Sequence, residues 1–424
     1  MSAESAHPEG NKSRSMRPVR PAILLLFLPL LLFTLVFAWQ VTTSHPAQAF
    51  VGGGTPGYLP ITSFDPTNTP IPTPTTSPIP EVLAIVSLPD ALCPHDVAVN
   101  PLSGYAYVAN PGNATTSIIS GTNHINTQVV GHWPNRFAVD PNSTRAFLTI
   151  VVEAQISMFD YDTLYINLPT FGEAADVVYN PVNNFIYVVD LSSHITVYDG
   201  ITFDFVADID LAGGVLLDVA VDPNTGRVYA AGWESGKVFE IEGTALVRTV
   251  QAGWGVQELA IDPNSGHVYA AHSAPNEEYP HNISVMKDGA LLATYITGAR
   301  SMDVAVNPVT GLAYFVNPDE DTVTVLNGPN MVGGVGVGDD PWSVAVNPTT
   351  NRVYIANRGE NTVTVLNETM PLTTLTSGLE PISVDVDPVR GLAYVANHAS
   401  HVECNEFGQC DRVCDPYASV TVIK

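Results

Sequence analysis

The stretch VAVNPLSGYAYVAN, residues 97–110, contains the pattern that decides the fold. Apolar residues fill both faces of its first half, as expected of a strand packed between neighbouring sheets. Asn100 and Pro101 then fit a tight turn, and Gly104 can adopt the left-handed conformation that closes a hairpin. A second apolar strand follows around Tyr107. The stretch therefore predicts a β-hairpin that is buried on both faces.

The same pattern recurs throughout residues 81–424. Its proline returns at spacings of 40, 40, 42, 40, 45, 40 and 40 residues, at Pro101, Pro141, Pro181, Pro223, Pro263, Pro308, Pro348 and Pro388. The Gly104 position is filled by Gly or Asn in every copy except the second, which has Thr144. Four short antiparallel strands in a repeat of this length make one propeller blade. The sequence predicts an all-β fold, a single eight-bladed β-propeller; a seven-bladed ring with one displaced repeat is the alternative.

Closure of the ring is predicted from the two ends of the repeat region. The chain ends on YASVTVIK, residues 417–424, which matches only a third strand, so the last blade lacks its outermost strand. Residues 82–88, VLAIVSL, form an apolar, β-prone run before the first complete repeat. We expect this run to complete the last blade, which leaves no open gap between the two ends.

Short motifs within the repeats resemble a known family. YVAN at residues 107–110 and 394–397, YIAN at 354–357, and TVTVLN at 322–327 and 362–367 are similar to the repeats of the YVTN family of β-propellers. The resemblance covers residues 81–424 and implies the propeller fold. It implies little about function, because propellers host many unrelated activities.

The N-terminal region predicts export. Residues 1–20 carry four basic residues and form a basic cytoplasmic N-terminus, whereas Pro21 to Trp39 is apolar without a charge. A helix of this length, about 28 Å, is long enough to span a bilayer core. Residues 21–40 are therefore predicted to be either a single-pass transmembrane anchor with its N-terminus inside, or the hydrophobic region of a signal peptide cleaved after Ala47-Gln48-Ala49. Either outcome places the rest of the chain outside the cytoplasm.

Residues 41–80 are predicted to be a Pro/Thr-rich extracytoplasmic linker. Residues 51–80 contain eight prolines and seven threonines with few large apolar side chains, so they cannot form a packed core. Beyond residue 49, 12 basic and 40 acidic residues remain, a net charge of −28. Such acidity excludes nucleic acid as a partner and favours cations or basic surfaces, or serves solubility alone.

All four cysteines are expected to meet where the ring closes. The loop between Asn397 and Ser419 is much longer than its counterparts, and Cys93 lies in the link that leads into the first blade on the same face. An exported protein with an even cysteine count predicts two disulfides, and we favour Cys93 bonded to one of the three cysteines in the loop. The alternative is a metal site made by these cysteines with nearby histidines, although the spacing matches no standard zinc pattern. The residues concerned are Cys93, Cys404, Cys410 and Cys414, with His95, His398 and His401.

One position at the start of the innermost strand is acidic in five of the eight copies. If it faces the channel, the carboxylates form a ring that concentrates cations or binds a divalent cation such as Ca²⁺; otherwise they bond to the backbone of neighbouring loops. A second unusual residue is Asp385, which replaces a small apolar residue in the last inner strand; we expect it to be satisfied at the closure, and the alternative is that it belongs to a functional site. The acidic residues are Asp96, Asp176, Asp218, Glu258 and Asp303.

Three tryptophans, Trp133, Trp254 and Trp342, precede inner strands and predict either an aromatic rim for a ligand or packing between blades.

The preferred function is an exported, membrane-tethered scaffold at the cell surface that binds an unknown protein or small ligand on its loop-rich face. One alternative is a metal-dependent lyase or hydrolase at the channel mouth, with His95 or His398 as acid or base. Another is a structural surface-layer or adhesion component. No catalytic sequence motif is present, so no catalytic residue is assigned.

Overall fold

The computed structural model describes residues 79–212, 214–273, 282–297, 300–404 and 410–424. The chain divides into a unit of residues 1–73 and a unit of residues 74–424, and every described residue belongs to the second. The predictions for residues 1–20, for residues 21–40 and for all but the end of the linker lie outside the described residues. Within the described ranges, no helix has the length and apolar character needed to cross a membrane.

The first strand, β1 (Val82–Ser87), is followed by four complete blades. Blade 1 contains β2 (Asp96–Asn100), β3 (Tyr105–Asn110), a short 3-10 helix (Pro111–Asn113), β4 (Thr115–Ser120) and β5 (Asn123–Val129). Blade 2 contains β6 (Pro134–Val139), β7 (Arg145–Ile150), β8 (Gln155–Asp160) and β9 (Thr163–Pro169). Blade 3 contains β10 (Ala174–Asn180), β11 (Phe185–Asp190), β12 (His194–Asp199) and β13 (Phe205–Asp210). Blade 4 contains β14 (Leu216–Val221), β15 (Val228–Gly232), β16 (Lys237–Glu242) and β17 (Ala245–Gln251).

The remaining strands form four further blades and one additional hairpin. Blade 5 contains β18 (Val256–Ile261), β19 (Val268–His272), β20 (Asn282–Lys287) and β21 (Ala290–Ile296). Blade 6 contains β22 (Asp303–Asn307), β23 (Leu312–Asn317), β24 (Thr322–Asn327) and β25 (Asn330–Gly336). Blade 7 contains β26 (Pro341–Asn347), β27 (Arg352–Asn357), β28 (Thr362–Asn367) and β29 (Met370–Thr376). Blade 8 contains β30 (Pro381–Asp387), β31 (Leu392–Asn397) and β34 (Ser419–Ile423), and the hairpin is formed by β32 (Ser400–Cys404) and β33 (Cys410–Cys414).

The blades are arranged as a closed ring. Within each complete blade the four strands pair antiparallel in chain order, and the inner strand of each blade lies beside the inner strand of the next. The inner strand of blade 8, β30, lies beside β2 of blade 1, which closes the circle. The predicted eight-bladed, four-stranded β-propeller is confirmed. Because strand direction alternates, the links between blades and the loops from second to third strands share one face, here called the loop-rich face.

The predicted closure by the N-terminal run is confirmed. Strand β1 pairs antiparallel with β34, with Ser87 opposite Ser419 and Val82 opposite Ile423, and it becomes the outermost strand of blade 8. Two further backbone bonds of 3.0 Å join Glu81 and Lys424 beyond the end of the strand. Blade 8 is thus assembled from both ends of the repeat region.

The turn between the first and second strands also follows the sequence pattern. Gly104 has φ +74°, and Asn184 and Asn351 adopt φ +60° and +55° at equivalent positions, in the left-handed region that Gly and Asn tolerate. The turn of blade 2 differs, as the threonine predicts. It is closed by a bond from Ser143 N to Asp140 O, one residue shorter than the bond from Gly104 N to Asn100 O in blade 1.

The core lies between the blades, and the recurring tyrosine of the second strand explains part of their attachment. Tyr107 and its equivalents in blades 3, 5, 6, 7 and 8 are fully buried. The Tyr107 hydroxyl donates to the carbonyl of Tyr161 at 2.6 Å, and that of Tyr187 donates to the carbonyl of Gly243 at 2.9 Å. Both carbonyls lie in the outer turn of the following blade. The tyrosine therefore fills the core and links consecutive blades through its hydroxyl.

Candidate functional site

The predicted ring of acidic residues lies inside the inner strands rather than just before them. Asp96 is the first residue of β2 and pairs with Ala109, whereas Asp176 is the third residue of β10 and pairs with Val189. The inner strands begin earlier than the sequence suggested because the links into them also pair with second strands. We call the eight equivalent positions the channel ring: Asp96, Arg136, Asp176, Asp218, Glu258, Asp303, Ser343 and Ser383.

Most members of the channel ring bind the backbone of the next blade. The N–H groups of Val219, Leu259 and Val344 donate to the carboxylates of the preceding blade at 2.8 to 3.0 Å. Phe137 N donates to Asp96 in the same way at 3.0 Å. The serines take over this role in the other blades: Val384 N donates to Ser343 Oγ at 3.3 Å, and Val97 N donates to Ser383 Oγ at 3.2 Å. Their common function is to join adjacent inner strands.

Arg136 is the exception in the ring, and it crosses the channel. From blade 2 its guanidinium forms an ion pair with the carboxylate of Glu258 in blade 5, and it lies 3.9 Å from Asp96 Oδ1. The Arg136 side chain retains 38% exposure because it projects into the channel, whereas that of Glu258 retains only 13%. The ring therefore contains its own cation.

The two blades joined by this ion pair attach to their neighbours through another residue. Asn135, next to Arg136, donates its side-chain amide to the carbonyl of Ala175 in blade 3 at 2.7 Å. Gln257, next to Glu258, donates to the carbonyl of Met302 beside blade 6 at 3.3 Å. An amide one position earlier thus links blades 2 and 5 to the next blade, while their ring residues reach across the channel.

Burial controls the protonation of the ring. It raises the pKa of Glu258 to about 8, against the opposing effect of Arg136 and with a further increase from Asp303. Burial also raises the pKa values of Asp176 and Asp303, and it raises that of Asp218 well above the ordinary range with added repulsion from Glu258. The carboxyl groups on this side of the channel therefore hold protons more tightly than exposed ones do.

The arrangement bears directly on the predicted cation site. Across the part of the chain that the structure describes, no three His, Cys, Asp or Glu side chains are grouped so as to hold a metal ion. The carboxylates of the channel ring instead accept backbone N–H bonds or contact Arg136. A divalent cation at the ring stays a prediction, and it would have to compete with the Arg136 guanidinium.

Asp385 occupies the next layer of the channel, on the inner strand of blade 8. Its Oδ2 accepts a bond from Val99 N of blade 1 at 2.7 Å, and its Oδ1 accepts one from Val386 N at the same distance. Burial nevertheless raises the pKa of Asp385 to about 7, and Asp96 contributes in the same direction. As expected from the sequence, this carboxyl group is satisfied at the joint between blades 8 and 1.

A disulfide joins Cys93 to Cys414, with their Cα atoms 5.3 Å apart and 321 residues between them in sequence. The predicted bond from Cys93 to one of the three loop cysteines is thus confirmed. Gly112 lies against it: a Cβ there would be 3.0 Å from Cys414 Sγ and 2.8 Å from Leu92 O. We call β1, β34, this disulfide and Asp385 the closure seam.

The described part of the long loop of blade 8 contains a hairpin that the sequence did not predict. Its residues form the β32–β33 hairpin, in which Cys404 lies directly opposite Cys410. This backbone pairing suits the second predicted disulfide, which stays a prediction because the two side chains lie outside the described residues. The side chain of His401 lies outside them too.

His95 and His398 lie near each other beside the channel mouth. Burial, Arg136 and His398 together lower the pKa of His95 to about 3, so it is neutral at physiological pH. His398 Nδ1 is 3.6 Å from Glu380 Oε2, and the same carboxylate accepts a bond from Ser400 N at 3.0 Å. Glu380 therefore anchors the start of the hairpin, a role that its sequence position did not reveal.

The three predicted rim tryptophans are all half-buried on the loop-rich face. Trp254 packs against Trp233 with ring centroids 4.7 Å apart, and the guanidinium of Arg358 lies 4.7 Å above the ring of Trp342. Trp133 has φ +61° in the link before blade 2. Sequence reasoning missed Trp233 and Arg358, which occupy second-to-third-strand loops where the copies vary most.

Known structures support the architecture. The chain is similar to a structure described as Kuenenia stuttgartiensis hydrazine synthase, with a TM-score of 0.54 and 14% identity over 77% of this chain and 97% of that chain. No protein-family model and no curated protein sequence matches the chain. At this level of identity the likeness shows the fold alone, so this chain is a β-propeller whose activity has to be argued from its own residues.

Proposed function

We propose that this protein is an exported binding scaffold, tethered to the membrane through residues 21–40 and carrying a propeller of YVTN-type repeats on a linker that ends at residue 80. A β-propeller is a general platform for binding, and the Cys93–Cys414 disulfide is compatible with an extracytoplasmic location. The single observation that carries the proposal is the β32–β33 hairpin. It is an insertion in one blade, on the loop-rich face and next to the disulfide that fixes its base.

The bonds made by the channel-ring carboxylates favour a binding role over a catalytic role for the loop-rich face. A metal-dependent lyase or hydrolase would need carboxylates that are available to a cation, whereas the ring carboxylates already hold backbone amides or Arg136. Metal analysis of the purified full chain tests the enzyme alternative. A stoichiometric divalent cation that is lost with Asp218→Asn would favour it over the scaffold.

Export is tested with a periplasmic-type reporter enzyme fused after Lys424, because such reporters are active only outside the cytoplasm. We expect activity in the membrane fraction. Removing residues 21–40 should abolish it, and replacing Ala47 and Ala49 with Leu should leave it unchanged if the anchor is retained. Release of active protein into the medium would show that the segment is a cleaved signal peptide.

Binding is tested by comparing the full chain with a variant whose residues 400–413 are replaced by a short Gly-Ser turn, which keeps Cys414. Both are immobilised and exposed to an extract of the producing cell's envelope. We expect the native chain to retain a defined component that the variant does not. Equal retention by both would place any binding surface elsewhere.

A further inference from the structure

The link from blade 2 into blade 3 departs from its counterparts at Phe171. The Phe171 N–H donates to Thr196 Oγ1 at 3.3 Å. In the link into blade 8, the N–H of Gly378 makes the equivalent bond to Thr421 Oγ1 at 3.0 Å. A phenylalanine that is 61% exposed therefore stands where other copies have the smallest residue, and such departures from a repeat often mark function. Three further links have glycine at this position: Gly131, Gly253 and Gly338.

Phe171 belongs to a group of aromatic rings on the outer part of blade 3. Its ring stacks on that of His194 with centroids 5.4 Å apart, and it lies 6.5 Å from the ring of Phe205 in β13. Phe205 is 54% exposed, and its ring also meets that of Tyr198 at 6.1 Å. Exposed apolar residues that lie together mark an interaction site more often than single ones do. We call Phe171, His194 and Phe205 the aromatic patch.

Acidic side chains border the aromatic patch. Both carboxylate oxygens of Asp208 lie 2.9 to 3.0 Å from His194 Nδ1. Asp210, which pairs with His194 in the ladder, is exposed. A bond from Ala212 N lowers the pKa of Asp210, so its carboxylate is charged at neutral pH. Residues 146–226 contain ten Asp and two Glu but no Lys or Arg. The aromatic patch therefore lies in a strongly negative part of the chain.

Beside the aromatic patch, Asp190 has a carboxylate oxygen without a donor. Asp190 is 1% exposed, and its Oδ1 accepts bonds from Ser192 N, Ser192 Oγ and His194 N at 2.8 to 2.9 Å. Its Oδ2 accepts no hydrogen bond within the described residues. That oxygen faces Gly172, next to Phe171, where a Cβ atom would lie 2.7 Å from it. An unsatisfied buried carboxylate oxygen is costly, and a cation bound in front of Gly172 would offset its charge.

We propose that the aromatic patch is a docking site for a basic polypeptide segment, whose arginine side chains stack on the two phenylalanine rings and pair with Asp208 and Asp210. A guanidinium suits both contacts because it is planar and always charged. The chain makes the same contact internally, where the Arg145 guanidinium lies 5.1 Å from the ring centroid of Phe203. In the part of the chain that the structure describes, no ring of the aromatic patch has such a cation over it. The site is separate from the β32–β33 hairpin, because blades 1 and 2 lie between blade 3 and blade 8.

The shape and charge of the aromatic patch favour a polypeptide over other occupants. More than half of each phenylalanine is exposed, so the rings form an open surface, whereas small molecules bind in concave sites. An extended segment can lie across both rings and place successive basic side chains on them. A second copy of this chain fits less well, because its 42 acidic residues greatly outnumber its 16 basic ones and the two acidic surfaces repel one another.

The test measures how tightly the full chain, in non-ionic detergent at physiological ionic strength, binds a fluorescein-labelled peptide in which Arg alternates with Gly. Phe171→Gly removes the ring and introduces the residue that other links have at this position. Its matched control is Tyr417→Gly, which removes an exposed aromatic ring from blade 8. We expect Phe171→Gly to raise the dissociation constant about tenfold, roughly 1.4 kcal/mol, and Tyr417→Gly to leave it unchanged.

A second pair of variants tests the carboxylates at equal net charge. Asp210→Asn keeps an oxygen that can accept the Ala212 N–H bond, and Asp288→Asn removes one charge from an exposed turn of blade 5. We expect only Asp210→Asn to weaken binding severalfold. A peptide with Lys in place of Arg should also bind severalfold more weakly, because an ammonium group does not stack on a ring as a planar guanidinium does.

Equal affinity of the native chain and Phe171→Gly, or equal effects of the two Asn variants, would overturn the proposal, because net charge alone would then hold the peptide. Loss of binding when residues 400–413 are replaced would place the site at the hairpin and would also overturn it. Self-association of the native chain that Phe171→Gly abolishes would identify a second copy as the occupant instead. If Phe171→Gly lowers the thermal unfolding temperature, Phe171→Leu serves in its place, because it removes the ring but keeps an apolar side chain.

Discussion

The closure seam and five of the seven other joints between blades share one feature, a bond from a backbone N–H group to a channel-ring side chain, whereas the joints after blades 2 and 5 use a side-chain amide. At an ordinary joint such as that between blades 3 and 4, Asp176 accepts a bond from Val219 N at 3.0 Å. The seam has the equivalent bond, from Val97 N to Ser383, and Asp385 adds a second one layer further along the channel. The seam is further joined by the pairing of β1 with β34 and by the Cys93–Cys414 disulfide, which have no counterpart at the other joints within the described residues.

The difference reflects chain connectivity. At seven joints the polypeptide runs directly from one blade into the next, so the inner strands cannot move far apart even when their side-chain bonds open. At the seam the two partners are separated by more than 300 residues. Bringing them together has a large entropic cost, and a single side-chain bond to the backbone contributes only about 1 kcal/mol. The strand pairing, the disulfide and the Asp385 bond therefore lie at the joint where no direct chain connection holds the two blades together.

Removing the Cys93–Cys414 disulfide should lower the free energy of unfolding more than any other change at the seam or at an ordinary joint. In the chain-entropy view, a cross-link that closes a loop of 321 residues stabilises the fold by about 6 kcal/mol. We expect the double variant Cys93→Ser/Cys414→Ser to lose close to that free energy of unfolding in denaturant titrations. Unfolding should then begin at blade 8, which hydrogen exchange can locate as lost protection in β1 and β34.

The matched control is Cys404→Ser/Cys410→Ser, which removes cysteines that lie six residues apart in the hairpin. If they form the second predicted disulfide, peptide mass spectrometry will find it in the native chain, and its loss will have a much smaller effect because the closed loop is short. Similar losses in the two double variants would show that the seam has no special dependence on its covalent link.

The next largest effect should come from the ion pair that crosses the channel from Arg136 to Glu258. Arg136→Met leaves the buried carboxylate of Glu258 without its counter-ion, and breaking a buried pair in this way costs about 3 kcal/mol or more. The pKa of Glu258 is about 8 with Arg136 present and rises further without it, so Glu258 in the variant stays protonated at neutral pH and carries no unpaired charge. We expect a small loss in the free energy of unfolding at neutral pH, and a loss that grows towards about 3 kcal/mol as pH rises above about 8.

A double-mutant cycle with Glu258→Gln provides the control for Arg136. Above pH 8 the combined variant should be more stable than Arg136→Met alone, because no unpaired charge remains. Additive losses would mean that the two side chains act independently. Calcium that stabilises Arg136→Met but leaves the native protein unchanged would show that the guanidinium takes the place of a cation in the ring.

The repeat pattern was sufficient to predict the propeller, its closure and one disulfide. Prolines such as Pro101 mark each turn, and VLAIVSL has no partner strand within its own repeat. Arg136 was visible only as a departure from an acidic position, because its partner Glu258 lies 122 residues away and periodicity does not report contacts across a channel. The packing of Trp233 on Trp254 was missed for a related reason, since loop lengths do not fix side-chain directions.

Substituting Asp385 should have the smallest effect on stability, and it tests the closure seam most selectively. Its folded-state pKa of about 7 lies above the unfolded value of 3.8, so the stability that its protonated form contributes is fully present below about pH 4 and is lost progressively as pH rises to about 7. Raising a pKa from 3.8 to about 7 corresponds to about 4 kcal/mol for a fully buried group, and Asp385 is only partly buried. We therefore expect the native protein to lose about 1 to 2 kcal/mol relative to Asp385→Asn between acidic and neutral pH, because the amide oxygen still accepts the Val99 N–H bond but carries no charge. Thermal unfolding of both proteins across this range measures the difference, with Asp288→Asn, an exposed turn residue, as control. Parallel pH profiles for all three proteins would show that the seam carries no titrating carboxyl group and that its closure depends on strand pairing and the disulfide alone.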